Sequence, residues 1–300
     1  MANIIVFGLV NIETSCRVRK FPIDYYPVDY SFFGVKSVPG GVGLNISKAL
    51  KTLGDDVTLF TCLPQELDME AKNILAKLEE EQINANISYC LKETPVSVVL
   101  YDEYGRRQIY CDLKDFQDKS LSVDKIDFDD ADALIICNSN FNRELLRAAR
   151  AKEKFIITDV HVLNTVYDDY NRDFMSNSDV LFLSDEQIPC DKKDFMFQIY
   201  NVYHNRIIVM GCGKDGALIL ENGNFNHVPA VDVRPIVNTV GAGDSLLSCF
   251  VHFYLMKNDS VASLKLACTF AGYKIGANGA SEGFISHDEV IKFASMQKRI

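Results

Sequence analysis

Asn238-Thr239-Val240-Gly241-Ala242-Gly243-Asp244 leads directly into Leu246, Leu247, Phe250, Val251 and Tyr254, apolar residues at helical spacing. The spacing predicts a helix over about 242–255, entered through a turn of three small residues. Such a turn lets backbone N–H groups point into open space at a helix N-terminus. Aligned amides and the helix dipole attract an anion there. Asp244 falls in the first turn. A carboxylate in that place suits an ordinary helix start. It also suits a general base, which takes a proton from a hydroxyl while the amides hold charge on a transferring phosphoryl group. The segment alone leaves both readings open.

A second glycine cluster, Pro39-Gly40-Gly41-Val42-Gly43-Leu44-Asn45, precedes a helical pattern over 44–53 that stops at Gly54. Glycines before a helix let the backbone approach a ligand closely. The spacing is neither GxGxxG nor that of a P-loop, which takes support from a Rossmann dehydrogenase. Asn45 offers a donor and an acceptor to hydroxyl groups, or simply a surface amide.

Short apolar runs alternate with helical patterns around these clusters. Residues 4–7, 57–61, 133–137, 155–158, 180–183 and 207–210 read as strands covered on both faces. Residues 69–81, 143–152 and 264–275 read as helices. The alternation predicts an α/β fold, a doubly wound, mostly parallel sheet flanked by helices, in one domain over 1–300. Two segments break the pattern. Residues 14–38 carry Phe21, Tyr25, Tyr26, Tyr30, Phe32 and Phe33, and residues 96–111 alternate before a turn at 102–105. Both are expected in a small antiparallel β sheet apart from the main core. So many aromatics must be covered, by the main domain, a substrate or a second copy. The acidic stretch 112–132 reads as a solvated connection.

The 300 residues are 48% apolar and 24% charged, ordinary globular composition. A net charge of −10 argues against nucleic acid as a partner and against a polybasic membrane surface. Backbone amides can still bind anions. Nine scattered cysteines without a CxxC pair are expected as free thiols in a reducing compartment. No basic leader precedes the first strand and no apolar run approaches a membrane span, so a cytoplasmic protein is expected. His161 reads as structural, and the other histidines lack metal-ligand spacing.

Taken together, GG-x-G-x-N-x-x-x-A-L-x-x-LG from Gly40 and NT-x-GAGD from Asn238 resemble the ribokinase-like (PfkB) carbohydrate and nucleoside kinases, over nearly the whole chain. Gly8-Leu9-Val10-Asn11-Ile12-Glu13 is similar to the family's G-x-x-N-x-D. Gly105 with Arg106 and Arg107 resembles its lid turn, and Gly213-Lys214-Asp215-Gly216-Ala217 its nucleotide loop. The resemblance implies transfer of the γ-phosphoryl group of ATP, with Mg²⁺, to a hydroxyl of a sugar or nucleoside. It implies Asp244 as general base and the amides of Gly241, Ala242 and Gly243 as the anion hole. It also implies sugar contacts at Asn11, Glu13, Gly40, Gly41 and Asn45, and nucleotide contacts at Gly213 and Gly216. The two odd segments would form a lid over the sugar, which in several relatives also makes a homodimer contact.

Three departures from the family pattern stand out. Asn238 replaces an Asp in a segment that supplies part of a monovalent-cation site, which weakens the case for potassium, although backbone oxygens could still serve. Glu13 replaces an Asp and reaches one methylene further. Ser184-Asp185-Glu186-Gln187 replaces N-x-x-E, leaving Asp185 and Glu186 either as holders of Mg²⁺ through water or as an ordinary loop pair. The alternative function is a sugar- or nucleoside-binding protein on the same fold with little catalysis.

Overall fold

Alternate residues of the first strand, β1 (Asn3–Phe7), feed two separate cores. Ile4 and Val6 pack on one face of a sheet and Ile5 and Phe7 on the other, which is why the run is apolar throughout. The computed structural model describes residues 1–297. After β1 come β2 (Asn11–Arg17), β3 (Val35–Gly40), α1 (Val42–Leu53), β4 (Asp56–Pro64), α2 (Met69–Glu80), β5 (Asn84–Leu91), β6 (Val96–Tyr101) and β7 (Arg107–Asp112). Then follow β8 (Ala133–Ile136), α3 (Arg143–Ala151), β9 (Ile156–Val162), α4 (Arg172–Asn177), β10 (Val180–Ser184), α5 (Lys192–Tyr203) and β11 (Ile207–Gly211). The hairpin β12 (Ala217–Glu221) and β13 (Asn224–Val228) leads to α6 (Ala242–Lys257), α7 (Ser260–Lys274) and α8 (His287–Gln297).

Nine strands make the large sheet, in the order β13-β12-β11-β10-β9-β8-β1-β4-β5. Every pairing from β11 to β5 is parallel, and β12 runs antiparallel to both of its neighbours, β11 and β13, at one edge. Helices α1, α2, α6 and α7 cover the Ile4 face, and α3, α4 and α5 the Phe7 face. This is the doubly wound arrangement expected from the alternation. Helix α6 packs against α1 and α7, with every residue from 244 to 254 buried. A helix apolar on all sides belongs inside.

The small sheet has the order β3-β2-β6-β7. Its two outer pairings are antiparallel as expected, whereas β2 and β6 run parallel. Both follow strands of the parallel sheet, β2 after β1 and β6 after β5, so they leave it in the same sense. Residues 18–34, read as sheet, contain no strand. Pro22 and Pro27 deny them ladder donors. Tyr25, Tyr30, Phe32 and Phe33 stand exposed there, Phe33 fully. The acidic stretch 112–132 is also less solvated than expected, because Phe116, Leu121, Ile126 and Phe128 anchor it in the second core. All nine cysteines are free thiols. Among the described residues no helix is long and apolar enough to cross a membrane.

The turn from β1 into the small sheet touches the start of α1 backbone to backbone. A Cβ on Gly43 would stand 2.8 Å from the carbonyl of Gly8 and from that of Leu9. Gly43→Ala is therefore expected to cost about 1–3 kcal/mol, the usual penalty of overpacking. Urea denaturation measures it, and an unchanged midpoint would show that the two backbones can move apart.

Candidate active site

Strand register builds the first half of the site. In β2, Asn11 pairs with Gly40 of β3, and Glu13 pairs with Ser97 of β6. Asn11 and Glu13 are two residues apart and so share a face. Asn11 Nδ2 donates to Ser97 Oγ at 3.0 Å, and its buried Oδ1 has no partner. Gly41, at φ +93°, enters α1 with its Cα turned to that oxygen; a Cβ there would lie 3.1 Å away. A Cβ on Gly40 would lie 3.4 Å from Glu13 Oε2. The two glycines thus keep clear the space in front of Asn11 and Glu13. Asn45, in the first turn of α1, is buried rather than on the surface. Its Nδ2 donates to Asp244 Oδ2 at 2.8 Å, and its Oδ1 has no partner. Two orphaned amide oxygens in one cleft suit a ligand with several hydroxyl donors.

The N-terminus of α6 makes the second half. Gly241 caps it at φ +76°, and a Cβ there would meet the Ala280 carbonyl oxygen at 2.4 Å. The Ala242 N–H already donates to the Thr239 carbonyl at 3.2 Å, so this amide is not free for an anion. Among the described residues the N–H groups of Gly241, Gly243 and Asp244 meet no backbone acceptor. They are the orphan donors of a helix start. Asp159, midway along β9, faces the same place, its Oδ2 being 3.8 Å from where a Cβ on Gly243 would stand. It accepts the His161 N–H at 2.7 Å.

Charges crowd this cleft. Asp244 is 8% exposed, and burial raises its pKa against the pull of Asn45, His161 and Lys274. Burial, with Asp244 nearby, pushes Glu13 up to about 7. Lys274 is fully buried, and burial brings it down to about 8. Perturbed groups of both signs in one cleft are characteristic of functional sites.

The nucleotide-loop residues divide. Gly213, at φ +53°, has open space above it, where a ligand can approach. Gly216 is instead pressed against the chain after β13, where a Cβ would lie 2.1 Å from the Val228 carbonyl oxygen. Its glycine has a structural reason. Asp185 is paired with Lys192 at 2.6 Å, and Glu186 lies 3.6 Å from Arg107. Among the described residues no group of three or more His, Cys, Asp or Glu is placed to hold a metal. The residues therefore fit a Mg²⁺ carried largely by phosphates, with one or two carboxylates beside it, and not a protein cage.

The small sheet rests on the same loop. Thr239 Oγ1 donates to the Gly105 carbonyl at 3.2 Å and lies 3.3 Å from Arg107 Nη1. Val99, Val240 and Ala280 form a small apolar contact beneath. A monovalent cation does not fit this loop. Asn238 Nδ2 donates to the Asn278 carbonyl at 2.7 Å, and Lys274 Nζ donates to that of Val240. Sequence reasoning did not find Asp159 or Lys274. Asp159 had a signal, a carboxylate directly after the apolar run 155–158 of an α/β sheet. Lys274 had none, since a lysine ending a helix reads as a partner of the dipole.

The pattern that defines the pfkB family carbohydrate kinases matches residues 1–287. The deoxyribokinase of Salmonella typhi is 32% identical over 91 residues, 30% of this chain and 29% of that protein, so the match spans under a third of either. Fructosamine kinase FrlD of Bacillus subtilis is 24% identical over 264 residues, 86% of this chain and 89% of that one. Among solved structures, the microbiome-derived acarbose kinase Mak1 superposes with a TM-score of 0.87 at 20% identity, covering 98% of this chain and 99% of the other. That likeness shows the fold.

Glu13 gives the site a measurable signature. Its pKa is about 7 in the fold against 4.5 unfolded, so its stabilising effect is complete below 4.5 and lost as the pH rises through about 7. Glu13→Gln removes that loss. The variant is expected to outlast the wild type in thermal melts at about pH 8, by up to ~3 kcal/mol, and to match it below about pH 5. A constant offset at both pH values would mean that Glu13 ionises normally.

Proposed function

Because the chain belongs to the pfkB family of carbohydrate kinases, we propose that it transfers the γ-phosphoryl group of ATP to a hydroxyl of a sugar or nucleoside. The carrying observation is Asp244, a buried carboxylate held by Asn45 beside the free amides of α6. In this reading the substrate hydroxyl lies against Asp244, which takes its proton as the oxygen attacks phosphorus in line. Desolvation raises the basicity of the carboxylate, against the pull of the Asn45 N–H, His161 and Lys274. The amides of Gly241 and Gly243 hold charge on the transferring group. Asn11, Glu13, Asn45, Gly40 and Gly41 hold the remaining hydroxyls, and Gly213 lets the nucleotide approach. When bound with ATP, Mg²⁺ neutralises charge on the phosphates. Asp185 and Glu186 would hold it through water. The small sheet acts as a lid that keeps water from the phosphoryl group.

The two sequence relatives described above are named for sugars or their derivatives, which supports a sugar over a nucleoside. The ion pairs that occupy Asp185 and Glu186 favour a second reading, a ligand-binding protein with little turnover. A cytoplasmic location belongs to the same proposal. So does a homodimer through the lid, where Tyr25, Tyr30, Phe32 and Phe33 are 74–100% exposed, an apolar surface that calls for a cover.

Asp244→Asn is expected to lower kcat at least about 10²-fold, with KM and melting temperature close to wild type, the usual scale of general-base loss. Steady-state ADP release measures it, and unchanged turnover would remove Asp244 as the base. Sedimentation at about micromolar concentration should give a dimer that Phe33→Asp converts to monomer, since the variant sets a charge into an apolar contact. A monomeric wild type would contradict the lid interface.

A further inference from the structure

Two loops interlock under the anion hole. One is 238–241, and the other is 275–283, which follows α7. The backbone N–H groups of Val237 and Asn238 both donate to the Ile275 carbonyl, at 2.8 and 3.0 Å. The Ala280 carbonyl lies against Gly241. Carbonyls of Val240, Asn278 and Ala280 thus gather behind a helix N-terminus. Clustered oxygens of this kind are the usual ligands of a hard cation.

Here nitrogen donors occupy two of the three. Lys274 Nζ reaches the Val240 carbonyl from the end of α7 and is shielded completely from solvent. Asn238 uses both ends of its amide: Nδ2 donates to the Asn278 carbonyl at 2.7 Å, and Oδ1 accepts the Val240 N–H at 2.9 Å. A carboxylate at 238 would face the Asn278 carbonyl oxygen with no proton to share. It would need a positive ion between them. The neutral amide and the buried ammonium solve the same problem from within the chain.

We propose that Lys274 is a built-in replacement for a bound monovalent cation: its ammonium group holds the anion-hole loop from behind, and the protein works without potassium. The ammonium lies where an ion's charge would act, within electrostatic reach of both Asp244 and Glu13. It is a positioning residue, since it touches the loop and not the substrate. The inference rests on the kinase reading only for its activity readout.

The test begins with the wild type. Its melting temperature is expected to agree within about 1 °C in ~100 mM potassium chloride and in choline chloride, because a bound ion would raise it by mass action. Potassium-specific stabilisation, or activation of ADP release beyond about twofold, would overturn the proposal. Lys274→Ala opens a space beside the Val240 carbonyl. Its kcat is expected to fall at least about tenfold in choline chloride, on the scale of a lost electrostatic group, and to recover at least about threefold in potassium or ammonium chloride. Full activity in choline chloride would overturn the proposal, as would loss with no recovery in either salt. If the variant does not fold, the wild-type melts still decide. If no sugar or nucleoside yields ADP, the kinase reading fails and the melts test the cation site independently.

Discussion

One hydrogen bond, Asn45 Nδ2 to Asp244 Oδ2 at 2.8 Å, joins residues 199 positions apart and draws two glycine-led helix starts into one cleft. A buried carboxylate without such a partner is costly, and the simplest relief would be a protonated or displaced side chain. Asn45 supplies the donor, while its other amide atom is buried without a partner. The bond can hold its geometry because α6 is buried along nearly its whole length and packed against α1. The core of the protein thereby fixes the position of a single carboxylate.

The surrounding charges oppose ordinary stability. Burial raises Glu13 and Asp244 and lowers Lys274, so each group is driven toward its neutral form. Glu13, at about 7, and Lys274, at about 8, are displaced toward one another and can exchange protons near neutral pH, which chemistry requires and packing does not. The net charge of −10 also becomes easier to interpret. In the proposed reaction an anionic nucleotide would be held by backbone amides, with one buried ammonium behind them, and by the metal it carries.

Much of the fold was legible because burial on both sheet faces leaves uninterrupted apolar runs, as in β1, β8, β10 and β11. The strand β5 was not, since Asn84, Asn86 and Ser88 alternate with apolar residues at an edge that is half solvated. The aromatic segment 18–34 looked like sheet by composition, yet its prolines and its exposure make it a loop. The site divides in the same way. Gly40, Gly41, Asn45 and Asp244 announce themselves because a glycine turn before an apolar helix is a local pattern. Lys274 was invisible because its partner, the Val240 carbonyl, lies 34 residues away, with helices α6 and α7 between them. The occupied Ala242 amide was hidden too, since it depends on how the Thr239 turn closes.

The most direct measurement mixes the protein with ATP, Mg²⁺ and a panel of pentoses, hexoses, their amino and phosphorylated derivatives, and nucleosides, and follows ADP and the acceptor by mass spectrometry. A kinase built around Asp244 yields ADP and one phosphorylated acceptor in equal amounts. Tight binding of a sugar or nucleoside with no ADP above the rate without protein would contradict it and leave a binding protein on a kinase fold.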